Sequence, residues 1–336
     1  KPSVEDPRYL IFGKDIPKLQ GLGNILNGLL AAHLLAYESN RTLCVTPDFS
    51  HFHAAFEPRD TTHCPTVYQP PLPQNTIRML NYESQPENEC RIKDLLVSRV
   101  NVVFYVGNTY PRWPTVPSKF FLRYYQPTPA LLAILPFPSK TPPAVVVHLR
   151  KGDDRGDVRG GLDRDTLRVL GETLSKDTFL ITNYVKWYDY YGECCRWRNP
   201  GWDEVWHSAV NQFRWGRNKK DGSPKDVQGD QKMRTRLSEQ AKFEIHTDQE
   251  LIDRQNLQMF SDWYTLLLSQ TLYHTYSDFS QSALHFMGRT DGRVIHGLKP
   301  VGNTKVLDLR KELWLVDGET GFLVQRTMND LQHCSN

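Results

Sequence analysis

No apolar run in this chain of 336 residues approaches the roughly 18 residues that suggest a membrane-spanning helix. Charge of one sign is also lacking, since 41 Lys and Arg face 38 Asp and Glu for a formal net charge of +3. So small an excess does not point to a nucleic-acid binder, whose domain would carry a concentrated basic face. Cysteine is sparse and scattered: Cys44, Cys64, Cys90, Cys194, Cys195 and Cys334 form no C-x-x-C pair, which speaks against a structural zinc site. Gly21-Leu22-Gly23-Asn24 starts like a dinucleotide fingerprint, but Leu26 stands where the third glycine belongs, and the Gly-Lys-Ser/Thr end of a phosphate loop is missing. What remains, 39% hydrophobic and 24% charged, is an ordinary globular composition.

What the chain does have is a polar cluster behind an apolar run. Ala144-Val145-Val146-Val147 has the character of a strand buried on both faces of a parallel sheet. His148-Leu149-Arg150-Lys151-Gly152-Asp153 follows at once, so an imidazole, a guanidinium and a carboxylate are expected where the strand ends. Ligands of open α/β sheets bind in the crevice outside those ends. A fixed guanidinium grips phosphate with paired hydrogen bonds and cannot lose its charge. The segment points to phosphate recognition.

Length suffices for two domains of about 150 residues. Residues 9–12 predict a strand, residues 25–39 a helix and residues 42–45 a second strand, together a βαβ unit. Residues 47–86, rich in Pro, His and aromatics, show little periodicity and are expected to loop around a cleft, with another strand at 100–106. Six prolines between positions 127 and 143 mark the domain boundary. Beyond it, strands are expected at 144–147, 178–182 and 242–246 and helices at 248–258 and 263–272, an alternation that argues for a second parallel α/β layer. Residues 187–215 hold five of the eight tryptophans, either filling a satellite core or offering rings to sugar faces.

Several residues have two readings. Ser277-Asp278-Phe279-Ser280 precedes an expected helix at 281–287, where hydroxyls either cap the helix or, with its amides, hold a phosphate. Asp262 either caps the helix it precedes or faces a base or ribose. His246 and Asp248 sit at another expected strand end. The sequon Asn40-Arg41-Thr42 and the even cysteine count favour a secretory compartment, with a leader or anchor upstream of Lys1. Six cysteines permit fifteen connectivities, and the adjacent Cys194 and Cys195 are expected to pair outward.

Three blocks together resemble the GDP-fucose-dependent fucosyltransferase superfamily, which includes the protein O-fucosyltransferases and the core fucosyltransferase of N-glycans. The first is Gly21-Leu22-Gly23-Asn24 with Asn40-Arg41-Thr42-Leu43. The second is His148-Leu149-Arg150-Lys151-Gly152-Asp153, which is similar to that superfamily's His-x-Arg-x-Gly/Thr-Asp signature. The third is Leu268-Ser269-Gln270 followed by Phe279-Ser280-Gln281.

The resemblance implies an α/β protein of the GT-B type, two facing Rossmann-like domains with a cleft between them. Residues 1–140 would form the acceptor-side domain and residues 141–336 the nucleotide-sugar domain, the final segment packing back on the first. It implies an inverting transferase that needs no cofactor or metal and moves fucose from GDP-fucose to a glycan or protein hydroxyl in the Golgi or endoplasmic reticulum. Any membrane attachment would lie outside this sequence, and no nucleic acid is involved. Arg150 would contact the diphosphate, with His148, Asp153, Ser280 and Gln281 beside it and Gly23 and Asn24 approaching from the first domain. Asp262, His246 and Asp248 would meet the nucleoside. Asp157 is the general-base candidate, its other reading being a solvated loop carboxylate. Adjacent Asp153 and Asp154 splay apart in extended chain and do not suit Mg²⁺. The runners-up are a GT-B transferase using another nucleotide sugar and a catalytically silent glycan-binding module of the same fold.

Overall fold

The computed structural model describes residues 8–13, 22–45, 50–59, 76–79, 101–105, 116–137, 141–150, 166, 169–171, 174, 178–182, 249–275, 277–301 and 304–311. In its first part, strand β1 (Tyr9–Gly13) leads to helix α1 (Leu22–Glu38) and β2 (Thr42–Val45). Then come α2 (Ser50–Ala55), β3 (Phe56–Pro58), β4 (Thr76–Met79) and β5 (Asn101–Tyr105). A connecting portion holds α3 (Phe120–Tyr124), β6 (Tyr125–Pro127) and α4 (Pro129–Ile134). The last part contains β7 (Val145–Leu149), β8 (Phe179–Thr182), α5 (Gln249–Leu268), β9 (Thr271–His274), α6 (Asp278–Phe286), β10 (Arg293–Val301) and β11 (Thr304–Lys311).

The fold is mixed α/β with parallel sheets. The first sheet runs β2-β1-β5-β4 with every neighbouring pair parallel. The second runs β11-β10-β9-β7-β8, parallel except for the β10–β11 hairpin. In each sheet the chain leaves one strand to one side and later returns to its other side, at β1/β5 and at β7/β9. Such reversals open the crevice in which α/β proteins hold ligands.

α1 carries buried residues on all its faces, as expected of a helix enclosed on every side. It packs against β1, β2 and α6, so it lies between its own sheet and a helix of the second one. One continuous apolar cluster joins Leu26 and Leu29 of α1 to Phe56, Phe121, Trp263 and Phe286. Trp263 meets Phe121 edge-on at 5.0 Å and its indole N–H donates to Ser282 Oγ at 2.9 Å, so the ring is buried with its polar handle satisfied.

Several expectations shift. α1 begins at Leu22 rather than residue 25, which puts Gly23 and Asn24 inside its first turn. The stretch at 47–86 contains α2, β3 and β4 rather than loops alone. The proline-rich connection is also folded: β6 pairs antiparallel with β3, and Thr128 caps α4 by accepting from Leu131 N while its hydroxyl donates to Ala54 O at 2.8 Å. Pro129 at the first helical position loses no needed donor. The two helices expected at 248–258 and 263–272 are one helix, α5, so Asp262 lies in its interior and does not cap it. The helix stops at Leu268 because Ser269 Oγ turns back to Leu266 O and the Arg289 guanidinium takes the carbonyls of Ser269 and Gln270. Thr271-Leu272-Tyr273-His274, β-branched and aromatic at alternate positions, then forms a central strand that periodicity had assigned to the helix tail. α6 ends at Phe286, and two residues on Gly288, whose φ of +59° suits glycine, turns the chain so that Arg289 N returns to Leu284 O at 3.0 Å. Among the described residues no helix is long and apolar enough to cross a membrane, and no group of three His, Cys, Asp or Glu side chains is placed to hold a metal.

Candidate functional site

The candidate site lies where β7 and β9 end. β7 is longer than expected, so His148 is part of the strand, paired in register with Ile181 of β8 and His274 of β9, and is only 1% exposed. Partners in register on parallel strands point to the same face, so His148 and His274 share one side of the sheet. α6 covers that side: the His148 ring lies 5.6 Å from the ring of Phe279. His274 Nδ1 lies 3.1 Å from Ser280 Oγ and 3.2 Å from Thr275 O. A carbonyl can only accept, and the Ser280 hydroxyl already donates to Ser277 O at 3.0 Å, so neutral His274 carries its proton on Nδ1.

Arg150 is the first residue beyond β7, where it is partly exposed. Its backbone amide donates to Thr275 Oγ1 at 2.7 Å, and Thr275 N donates to His148 O at 2.9 Å. On the opposite side, Thr182 Oγ1 donates to Leu149 O at 2.6 Å. The backbone that carries Arg150 is thus tied to the strands on both sides.

α6 opens at the same place. Ser277, in extended conformation, is its N-cap and accepts from Phe279 N at 3.3 Å, while Gln281 N donates to Ser277 O. Its first turn therefore begins beside the β9 end, with the partial positive charge of a helix N-terminus. Ser280 is fully buried with its proton engaged by the Ser277 carbonyl. Gln281 Oε1 is buried and has no hydrogen-bond partner. The first turn of α1 arrives from the other sheet, and Gly23 lies so close to the Asp278–Phe279 peptide that no side chain fits between them. One turn further along, His285 Nδ1 lies 2.6 Å from Asn27 Oδ1, a buried hydrogen bond between α6 and α1. Removing that acceptor in Asn27→Leu is expected to destabilise the protein by about 1–3 kcal/mol. A melting temperature equal to that of the parent protein would contradict this.

Of the expected site residues, Gly23, Asn24, His148, Arg150, Ser280 and Gln281 therefore lie on elements that meet at the β7/β9 reversal. Asp262 is buried on α5, which packs on α6 and touches β7. Asp153, Asp157, His246 and Asp248 lie outside the described residues. Thr182, His274 and Thr275 were not expected from the sequence. Their signal was available in the polar ends of the apolar runs 179–181 and 271–273.

No family model matches the chain, and no curated protein matches it. Among solved structures it is similar to the NodZ α-1,6-fucosyltransferase soaked with GDP-fucose, at 15% identity and a TM-score of 0.48 over 91% of this chain and 100% of that one. It is similar as well to the fucosyltransferase NodZ from Bradyrhizobium in its selenomethionine form, at 15% identity and a TM-score of 0.49 over 90% and 99% of the two chains. A mutant of Arabidopsis thaliana FUT1 in complex with GDP matches at 11% identity and a TM-score of 0.48, over 90% of this chain and 74% of that one.

Proposed function

We propose that this chain is an inverting, metal-independent glycosyltransferase that moves fucose from GDP-fucose to a hydroxyl of a glycan or protein. The observation that carries the reading is the joint placement of Arg150, the α6 N-terminus and the first turn of α1 at the β7/β9 reversal. Arg150 belongs to a His-x-Arg-x-Gly-Asp sequence that resembles the superfamily signature. A guanidinium and the start of a helix brought to one sheet end are a diphosphate's natural partners. Breaking the sugar–phosphate bond leaves negative charge on GDP, and a charge already fixed in place stabilises it without reorganisation. The sugar carbon becomes oxocarbenium-like, as in glycoside hydrolysis. His148 braces the donor side, and Ser280 does so through His274. Gln281 Oε1 accepts from a ribose hydroxyl or base, which relieves a buried acceptor that otherwise costs about 1–3 kcal/mol. Asp262, His246 and Asp248 serve the nucleoside, Asp153 the phosphate side, and Asp157 the acceptor proton.

In this reading residues 1–140 and 141–336 are the two Rossmann-like domains of a GT-B enzyme. The secretory lumen is its compartment, in keeping with Cys44, which is disulfide-bonded, because such bonds persist in oxidising surroundings. One Asp-x-Asp spacing occurs in the chain, Asp163-Arg164-Asp165, outside the described residues. Metal independence therefore has its own test: turnover in excess EDTA is expected to equal that in Mg²⁺, and a loss restored by Mg²⁺ or Mn²⁺ would overturn it.

Calorimetric titration with GDP, UDP and ADP tests the donor assignment, and release of GDP from GDP-fucose over a panel of glycan and peptide acceptors tests the reaction. GDP is expected to bind most tightly. Preference for UDP would assign another nucleotide sugar, and GDP binding without turnover on any acceptor would indicate a silent glycan-binding module.

A further inference from the structure

The Leu149–Arg150 peptide unit is held at both of its polar ends by side-chain hydroxyls from the two flanking strands. Its carbonyl accepts from Thr182 Oγ1, at the end of β8, at 2.6 Å. Its amide donates to Thr275 Oγ1, one residue past β9, at 2.7 Å. Both threonines are 1% exposed. The ladder explains why the second contact falls to a side chain. Thr271 N donates to Ala144 O and Thr275 N to His148 O, so a regular parallel ladder would next bond Arg150 N to the carbonyl of Thr275. That carbonyl instead lies 3.2 Å from His274 Nδ1, and the hydroxyl takes its place, also lying 3.4 Å from His148 O. The sheet ends at Arg150, yet its last peptide plane is fixed on both sides.

We propose that Thr182 and Thr275 are positioning residues for Arg150: by clamping the Leu149–Arg150 peptide they fix the point from which the guanidinium reaches the diphosphate. This deepens the functional reading above and rests on it. A long side chain on a loosely held backbone samples many positions. Clamping the peptide removes that freedom before substrate arrives, which is where orientation contributes to rate. Valine has the size of threonine without the hydroxyl, so Thr→Val deletes the clamp and keeps the packing, whereas serine keeps the hydroxyl.

The test is a set of cycles on the full chain, measuring GDP-fucose turnover, GDP affinity and melting temperature. Thr275→Val and Thr182→Val are each expected to lower kcat about 10-fold, and the double variant by less than the roughly 10²-fold product because both hold the same peptide, with the KM for donor changing less than kcat. Thr275→Ser and Thr182→Ser are expected to regain most of that loss. In an Arg150→Ala background either valine should change turnover by no more than about twofold, because residues that act through one group are not additive. An equal loss with and without the Arg150 side chain would show a merely structural role and overturn the proposal, as would valine variants with parental kcat. Should a valine variant fail to fold, the alanine and serine variants at that position carry the same comparison. A parent protein that neither binds GDP nor turns over GDP-fucose overturns both readings, whereas an active parent with indifferent valine variants overturns this one alone.

Discussion

Arg150→Ala is expected to lower GDP-fucose turnover about 10²–10³-fold, the usual cost of removing a preorganised group that meets developing charge. Arg150 stands immediately after β7, on a peptide tied to both neighbouring strands, so the scaffold should survive the truncation and melting temperature should change little. GDP in the ground state already carries charge on its phosphates, so GDP affinity falls too. Leaving-group charge grows only as the bond breaks, so kcat should fall further than affinity. Lysine supplies a point charge without the planar fork, and Arg150→Lys should recover part of the affinity and little of the rate. Paired measurements of GDP affinity by calorimetry and kcat by GDP release would check this. A near-parental rate in Arg150→Ala would remove the residue from the mechanism.

The strand that ends just before Arg150 was legible because its signal is local. A run of valines followed by polar groups is a buried strand and its exit, and no distant part of the chain is needed to see it. The same holds for β1, α1 and β2, whose boundaries lie close to those read from periodicity. What surrounds Arg150 was not legible, because it depends on which strands become neighbours. Thr182 and Thr275 lie 33 and 125 positions away from the groups they bond, and only the β8-β7-β9 order brings them there. β9 was hidden for a related reason: it follows a long helix after only two residues, Ser269 and Gln270. The capping interaction that ends that helix comes from Arg289, twenty residues further on. Local pattern cannot see a stop signal delivered from elsewhere. The surroundings of Ser280 were hidden in the same way: its hydroxyl lies between His274 of β9 and the carbonyl of the α6 N-cap residue Ser277.

The second large effect is expected at Gly23. A Cβ there would collide with the Asp278 carbonyl carbon and the Phe279 amide nitrogen and stand 2.5 Å from the Asp278 carbonyl oxygen. These are backbone atoms in the first turn of α6, so no rotamer change relieves the overlap. One helix must move away from the other. Overfilling a packed site costs about 1–3 kcal/mol where side chains can yield, and with backbone on the far side Gly23→Ala should sit at or above the top of that range. Gly292 supplies the contrast: a Cβ there meets chiefly the terminal methyl of Leu284, which can turn aside, so Gly292→Ala should be the milder change. The consequence for function follows from where the movement occurs. α1 and α6 start at the crevice and are joined further along by Asn27 and His285, so spreading their first turns displaces the amides proposed to meet the diphosphate. Gly23→Ala should therefore lower melting temperature by several degrees and weaken GDP binding together, while Gly23→Val should be worse in both. A Gly23→Ala protein that melts and binds GDP like the parent would mean that the two helix starts are not in contact in solution. The joint site built from the two sheets would then have to be abandoned.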